Sequence, residues 1–253
     1  MPAPLSGWLQ PETASVEAPL RLFLFHCAGG GASMYHAWPR LFPSDIAVQC
    51  VQLTGRQERF DEDLFTELDP LLDALAELVA AEDDGRPFGF FGHSMGALIA
   101  YRLAVRLERS GLPGPSVVGA AGWAPEEFTM PARHHAELTD AELVAELAAL
   151  GALPPDAVGA DADWLALAVP AMRADISLCE GYRDDRGVIR APLAGYAGAS
   201  DPLMAPDALA SWAARTEAYL GGRVFPGGHF FLDREAPAIA MDLAQLLRRH
   251  AGR

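Results

Sequence analysis

The chain has 253 residues, 51% apolar and 21% charged, which suits one large or two small globular domains with a sizeable core and excludes a disordered chain. Lys+Arg number 19 against 34 Asp+Glu, and the formal charge of −15 argues against a basic face for nucleic acid. All 19 basic residues are arginine; the missing lysine excludes a P-loop, a pyridoxal-phosphate Schiff base and a Ser-Lys hydrolase, and the missing asparagine excludes N-glycosylation.

Residues 1–19 are Pro-rich and aperiodic and read as an extended lead-in. Leu20 to Phe25 (LRLFLF) is a short apolar run that ends in Gly29-Gly30-Gly31, a strand followed by a tight turn. Met34 to Leu41 reads as helical and Ile46 to Leu53 as a second strand. Helical spacing of leucines runs through 64–81 and stops at Asp83-Asp84-Gly85. Phe88 to Gly92 is a third strand, Met95 to Leu107 a helix, and Ser116 to Ala121 a fourth strand. From Pro125 to Gly187 only helices are predicted. Thr139 and Glu142 form a capping box there, a second stretch starts near Asp163, and a third follows Pro170. The strand–helix rhythm resumes with Ala191 to Gly198, a helix near Pro206 to Tyr219, a strand at Arg223 to Phe225, and a last helix from Pro237 to Arg249.

Alternating strands and helices predict one α/β domain over 1–253, with a mostly parallel sheet covered by helices on both faces. The all-helical insert over 125–187 is expected to form a lid over the sheet's carboxyl edge, where such proteins bind ligands. Cys27, Cys50 and Cys179 are few, odd in number and far apart, so they read as reduced, buried small hydrophobes. The N-terminus has no basic start or apolar h-region, and no apolar run reaches about 18 residues, so a soluble, cytoplasmic protein with no membrane partner is expected.

The strongest chemical signal is Gly92-His93-Ser94-Met95-Gly96, a G-x-S-x-G between a predicted strand and a predicted helix. A serine on such a sharp turn projects its hydroxyl above the sheet. It needs a base, and the base needs an orienting acid, in the chain order Ser, Asp or Glu, His. Of the later histidines, His250 falls in the C-terminal tail and His134 and His135 on the insert's exposed edge. His229 stands in a Gly-rich loop between the last strand and the last helix, where a base can reach Ser94. Asp201 follows the strand ending at Gly198 and is the predicted acid; Asp175, Asp184 and Asp185 read as surface charges on or beside the insert. The Met95 and Ala28 N–H groups are the predicted oxyanion donors, Ala28 lying in the early loop His26-Cys27-Ala28-Gly29-Gly30-Gly31. His26 and His93 read as supporting residues. A dinucleotide loop is a weak match, because Met34 stands where G-x-G-x-x-G has its last glycine. No H-E-x-x-H occurs and His134-His135 lacks ligand spacing, so no metal is expected.

These segments, with Gly55-Arg56-Gln57-Glu58-Arg59 and Pro170-Ala171-Met172-Arg173-Ala174-Asp175-Ile176, resemble the type II thioesterases, the discrete α/β-hydrolases that accompany polyketide synthases and nonribosomal peptide synthetases. The resemblance spans nearly the whole chain. Two departures are Thr54 in place of a proline and Gly122-Trp123-Ala124-Pro125-Glu126 in place of a basic residue and Ala-Pro-His, which puts Trp123 and Glu126 at the expected chamber mouth. The resemblance implies hydrolysis of acyl thioesters on the phosphopantetheine arm of acyl or peptidyl carrier proteins, through Ser94, Asp201 and His229, with no cofactor. It also implies the removal of stalled or aberrant acyl groups in antibiotic biosynthesis. Carriers are usually acidic, so a local apolar or arginine-bearing docking patch is expected against the chain's net charge. The residues alone leave open a carboxylesterase or acyltransferase on the same triad, and a non-catalytic receptor on the same fold.

Overall fold

A strand buried on both faces must be apolar at successive positions, and LRLFLF is nearly so. In the computed structural model, which describes residues 6–129, 135–149, 151, 153 and 162–252, this run is β2 (Leu20–Phe25), an inner strand of a seven-stranded sheet. The others are β1 (Leu9–Gln10), β3 (Ile46–Val51), β4 (Phe88–His93), β5 (Val117–Ala121), β6 (Leu193–Gly198) and β7 (Tyr219–Phe225). Their order is β1-β3-β2-β4-β5-β6-β7, and every pairing is parallel except that of β1 with β3. The period-two alternation of β2 divides its side chains between two cores. Phe23 and Phe25 pack with α1 (Leu68–Ala81) and α2 (Met95–Arg109), while Leu22 and Leu24 pack with α5 (Leu232–His250).

The insert between β5 and β6 contributes α3 (Asp140–Ala149) and α4 (Ala162–Gly181). The predicted capping box forms: Thr139 N–H donates to Glu142 Oε2 at 2.8 Å, and Glu142 N–H returns to Thr139 Oγ1 at 3.3 Å. Leu143, Val144 and Leu147 of α3 meet Val169, Met172 and Ile176 of α4 in a small core of their own. Arg173 adds bonds from α4 to Leu138 O (2.7 Å) and Asp140 Oδ1 (2.8 Å).

Several boundaries differ from expectation. The break predicted at Pro170 is absent, and α4 runs through it. Pro170 and Ala166, whose carbonyl loses its helical partner, are both exposed, where solvent can replace the missing donor. The same argument holds for Pro237, which lies inside α5 with Asp233 exposed four residues before it; α5 therefore begins at Leu232. The helix predicted at Met34 to Leu41 is two short 3-10 helices, Ala32–Tyr35 and Trp38–Leu41. The helix from Pro206 is a 3-10 helix ending at Ala214, and Tyr219 already belongs to β7. The lead-in hides β1, which Trp8 anchors beneath the Arg59 guanidinium, 3.9 Å above its ring. His250 is not in a frayed tail but ends α5, buried. His135 is also buried, 3.2 Å from Ser177 Oγ, and His134 lies outside the described residues. Among the described residues no helix is long and apolar enough to cross a membrane.

Candidate active site

The turn from β4 into α2 is tight enough to dictate its sequence. Ser94 has φ 56° and ψ −118°, a strained conformation for a residue with a side chain. It is held there by its N–H, which donates to Ala121 O at 2.7 Å. A Cβ on Gly92 would overlap the Gly96 carbonyl, and a Cβ on Gly96 would overlap the Phe25 carbonyl. The two glycines of G-x-S-x-G are thus required by backbone contact. Met95 begins α2, so its N–H has no acceptor within the helix.

The predicted acid and base meet. His229 Nδ1 lies 2.8 Å from Asp201 Oδ2, both side chains almost completely buried. Asp201 Oδ1 accepts from Leu203 N–H at 2.9 Å, which fixes the carboxylate plane. A proton on Nδ1 directed at that carboxylate leaves the Nε2 lone pair available as a base. Ser94, Met95, Ala28 and His229 line one cavity of about 40 Å³, walled by Trp123, Phe128 and the lid residues Leu147, Met172 and Ile176. Two open grooves adjoin it. One, of about 730 Å³, shares Cys27, Leu153, His229 and Phe230 with it; the other, of about 850 Å³, shares Trp123, Phe128 and Cys179.

The supporting histidines are buried and neutral. Burial, then the neighbouring His229, pushes His93 well below the ordinary histidine value, and burial, then the Arg56 charge, brings His26 down to about 4. His26 Nδ1–H donates to Cys27 O at 2.8 Å. Burial pushes the Cys27 thiol up to about 12, so this cavity-lining sulfur is protonated at neutral pH and Ser94 is the better placed nucleophile. Among the described residues no group of three or more His, Cys, Asp or Glu is placed to hold a metal.

The thioesterase domain family matches residues 20–251. The chain belongs to the thioesterase family. This thioesterase is 36% identical to the probable cadicidin biosynthesis thioesterase of Streptomyces griseus, over 95% of this chain and 66% of that one. It is 34% identical to linear gramicidin dehydrogenase LgrE of Brevibacillus parabrevis, over 91% and 88% of the two chains. Among solved structures, the type II thioesterase BorB from the borrelidin biosynthetic cluster is 32% identical, with a TM-score of 0.83 over 95% of this chain and 98% of that one. Its sheet and helices are those of the α/β-hydrolases, and it is a thioester hydrolase.

One expectation is overturned. Asp175 is not a surface charge: it is fully buried and paired with Arg56, whose NH1 and NH2 stand 2.6 and 2.8 Å from its two oxygens. The same carboxylate accepts from Gly29 N–H at 2.8 Å. The signal was present in the helical spacing. Asp175 is three residues from Met172 and four from Cys179, both of which line the cavity, so it falls on the inward face of α4. Its rival Asp185 does serve surface ion pairs, with Arg102 and Arg109, and Asp184, itself at the surface, pairs with the buried Arg215. Of the two expected mouth residues, Trp123 lines the cavity, whereas Glu126 reaches away to Arg215 at 3.5 Å.

Proposed function

We propose that this thioesterase hydrolyses acyl groups carried on the phosphopantetheine arm of acyl or peptidyl carrier proteins, through a Ser94–His229–Asp201 triad. The observation that carries the reading is the buried 2.8 Å His229–Asp201 pair in the cavity that Ser94 enters from its strained turn. Ser94 Oγ attacks the thioester carbonyl carbon while His229 Nε2 takes the hydroxyl proton. The negative charge passes to the carbonyl oxygen, where the Met95 and Ala28 N–H groups hold it. The intermediate collapses with loss of the C–S bond, and His229 returns the proton to the departing sulfur. Water, deprotonated by the same nitrogen, then attacks the acyl-serine, releasing the acid and restoring Ser94. These steps use only groups of this chain and water.

On this reading the substrate has a direction. The leaving sulfur takes its proton from His229, so the arm lies in the groove that shares His229 and Phe230 with the cavity. Arg234 stands exposed on that groove's rim, but Asp233 and Glu235 line it as well, so the charge there does not single out an arginine-bearing docking patch. The acyl group then points toward Trp123 and the lid helices. The 125–187 segment acts as the lid, its α3 and α4 forming the chamber roof. Removal of stalled acyl groups is the role proposed here, in keeping with relatives named for cadicidin biosynthesis and for the borrelidin biosynthetic cluster. The test compares one acyl group on a carrier protein and on a simple oxoester. The reading predicts a kcat/KM for the carrier thioester at least tenfold higher; a clear preference for the oxoester would make this an esterase.

A further inference from the structure

The Arg56–Asp175 pair joins three parts of the molecule that are remote in sequence. Asp175 belongs to α4, the helix that also carries the chamber residues Met172 and Ile176. Arg56 belongs to the loop after β3, and besides its two bonds to Asp175 it donates to Gly30 O at 3.2 Å and Thr54 O at 3.2 Å. The third part is the loop after β2. There Gly30 N–H donates to Cys27 O at 3.0 Å, closing a four-residue turn whose third residue, Gly29, has φ 71°. That is the pattern of a type II turn, which differs from type I by a flip of the central peptide. The central peptide here joins Ala28 to Gly29, and its N–H is the one that Asp175 accepts at 2.8 Å. A flip would direct the Ala28 carbonyl at a buried carboxylate.

We propose that Asp175, held by Arg56, is a positioning residue for the oxyanion site: it locks the Cys27–Gly30 turn that presents the Ala28 N–H, and so couples the seating of lid helix α4 to completion of the site. The proposal rests on the assignment of Ala28 as an oxyanion donor, made above. Three observations support the coupling. The carboxylate is completely buried, which demands a fixed cation. Its Oδ2 is shared between Arg56 NH1 and Gly29 N–H, so the two bonds cannot shift independently. And a Cβ on Gly29 would stand 2.7 Å from Met172 Cγ, so α4 touches the turn at a second point one helical turn from Asp175. Any displacement of α4 that opens the chamber also withdraws the acceptor from the turn. An open lid then leaves the oxyanion site unformed, and hydrolysis waits for closure over the acyl group.

The test uses paired variants, because removing one charge alone leaves its partner buried and can unfold the chain. Arg56→Met with Asp175→Asn removes both charges and keeps an acceptor for Gly29; Arg56→Met with Asp175→Ala removes the acceptor too. Both are assayed on a short acyl thioester, with circular dichroism to confirm folding. Binding of a trifluoromethyl ketone, which forms a tetrahedral adduct with serine, is compared with binding of an uncleavable thioether analogue. The expected result is that the Asn pair keeps kcat within about tenfold of the wild type while the Ala pair falls about 10²-fold further, the scale of losing one oxyanion donor. KM and thioether binding stay within about twofold, and ketone binding falls in step with kcat. Equal kcat in the two folded pairs, or a loss confined to KM, overturns the proposal. If neither pair folds, Asp175→Glu alone, which keeps a carboxylate for Arg56 but moves the acceptor away from Gly29 N–H, is read in their place, with loss of ketone but not thioether binding expected and equal loss of both overturning the proposal. Wild-type turnover by Ser94→Ala, a separate control, would instead remove the catalytic reading beneath it.

Discussion

His93 Nε2 lies 2.9 Å from the carbonyl oxygen of His229, and the two imidazole rings pack with centroids 4.8 Å apart. A carbonyl only accepts, so the proton sits on Nε2 of His93. The residue before the serine thus holds the backbone of the proposed base, across 136 positions of sequence. Replacing it by leucine leaves a buried carbonyl unpaired, at a cost of about 1–3 kcal/mol, and lets the His229 loop drift. A misplacement of about 1 Å can cost about 10² in rate. His93→Leu is expected to lower kcat about 10²-fold with little change in KM, and His93→Gln, which keeps a donor, to lose less. Steady-state kinetics on a short acyl thioester check both.

Trp123 stands between the catalytic cavity of about 40 Å³ and the outer groove of about 850 Å³, lining both. Its ring is braced by Trp212 and Tyr182, with centroids 5.4 and 5.8 Å away. Trp123→Ala is expected to join the two spaces, raising the kcat/KM ratio of long to short acyl thioesters at least tenfold. It should also lower stability by about 3–5 kcal/mol. A panel of acyl lengths and a denaturant titration measure the two effects; an unchanged length profile would place the acyl group elsewhere.

Stability should depend on pH through the buried histidines. In the unfolded chain His26 titrates near 6.5, whereas in the fold its value is about 4. As the pH falls below 6.5 the unfolded state takes up the proton first. The folded state therefore keeps its full stability above pH 6.5 and loses about 3 kcal/mol between there and about pH 4 through this residue alone. His93, whose value also lies well below the ordinary one, adds to the same loss. Urea titrations from pH 7.5 to 4 should show the decline, and His26→Asn, whose amide nitrogen stands in for Nδ1 as the donor to Cys27 O, should flatten it by about 3 kcal/mol. A parallel decline in that variant would contradict the assignment.

The parts of the site that were legible from sequence are those fixed by local geometry. Gly92 and Gly96 report a turn with no room for side chains, so G-x-S-x-G marks Ser94 without any tertiary knowledge. His229 and Asp201 fall in loops after strands of a parallel sheet, and strand order carries both to one edge. Asp175 was misread because charge alone suggests exposure; only its helical phase against Met172 and Cys179, and a partner 119 residues away, reveal its burial. Pro170 and Pro237 misled for a related reason. Proline removes one helical hydrogen bond and crowds the carbonyl four residues before it, a cost that solvent eases where that residue is exposed, and exposure at Ala166 and Asp233 is set by packing that local sequence does not report. β1 is two residues long and exists through its pairing with β3.

The central claim is that the acyl group passes through the Ser94 hydroxyl. Intact-protein mass spectrometry tests it most directly, with an acylated carrier protein incubated with the wild type or with Ser94→Ala and both proteins weighed over time. The account predicts that the wild type strips the acyl mass from the carrier and carries it transiently itself, while Ser94→Ala leaves the carrier loaded and gains no mass. Loss of the acyl group from the carrier at wild-type rate with Ser94→Ala would contradict it.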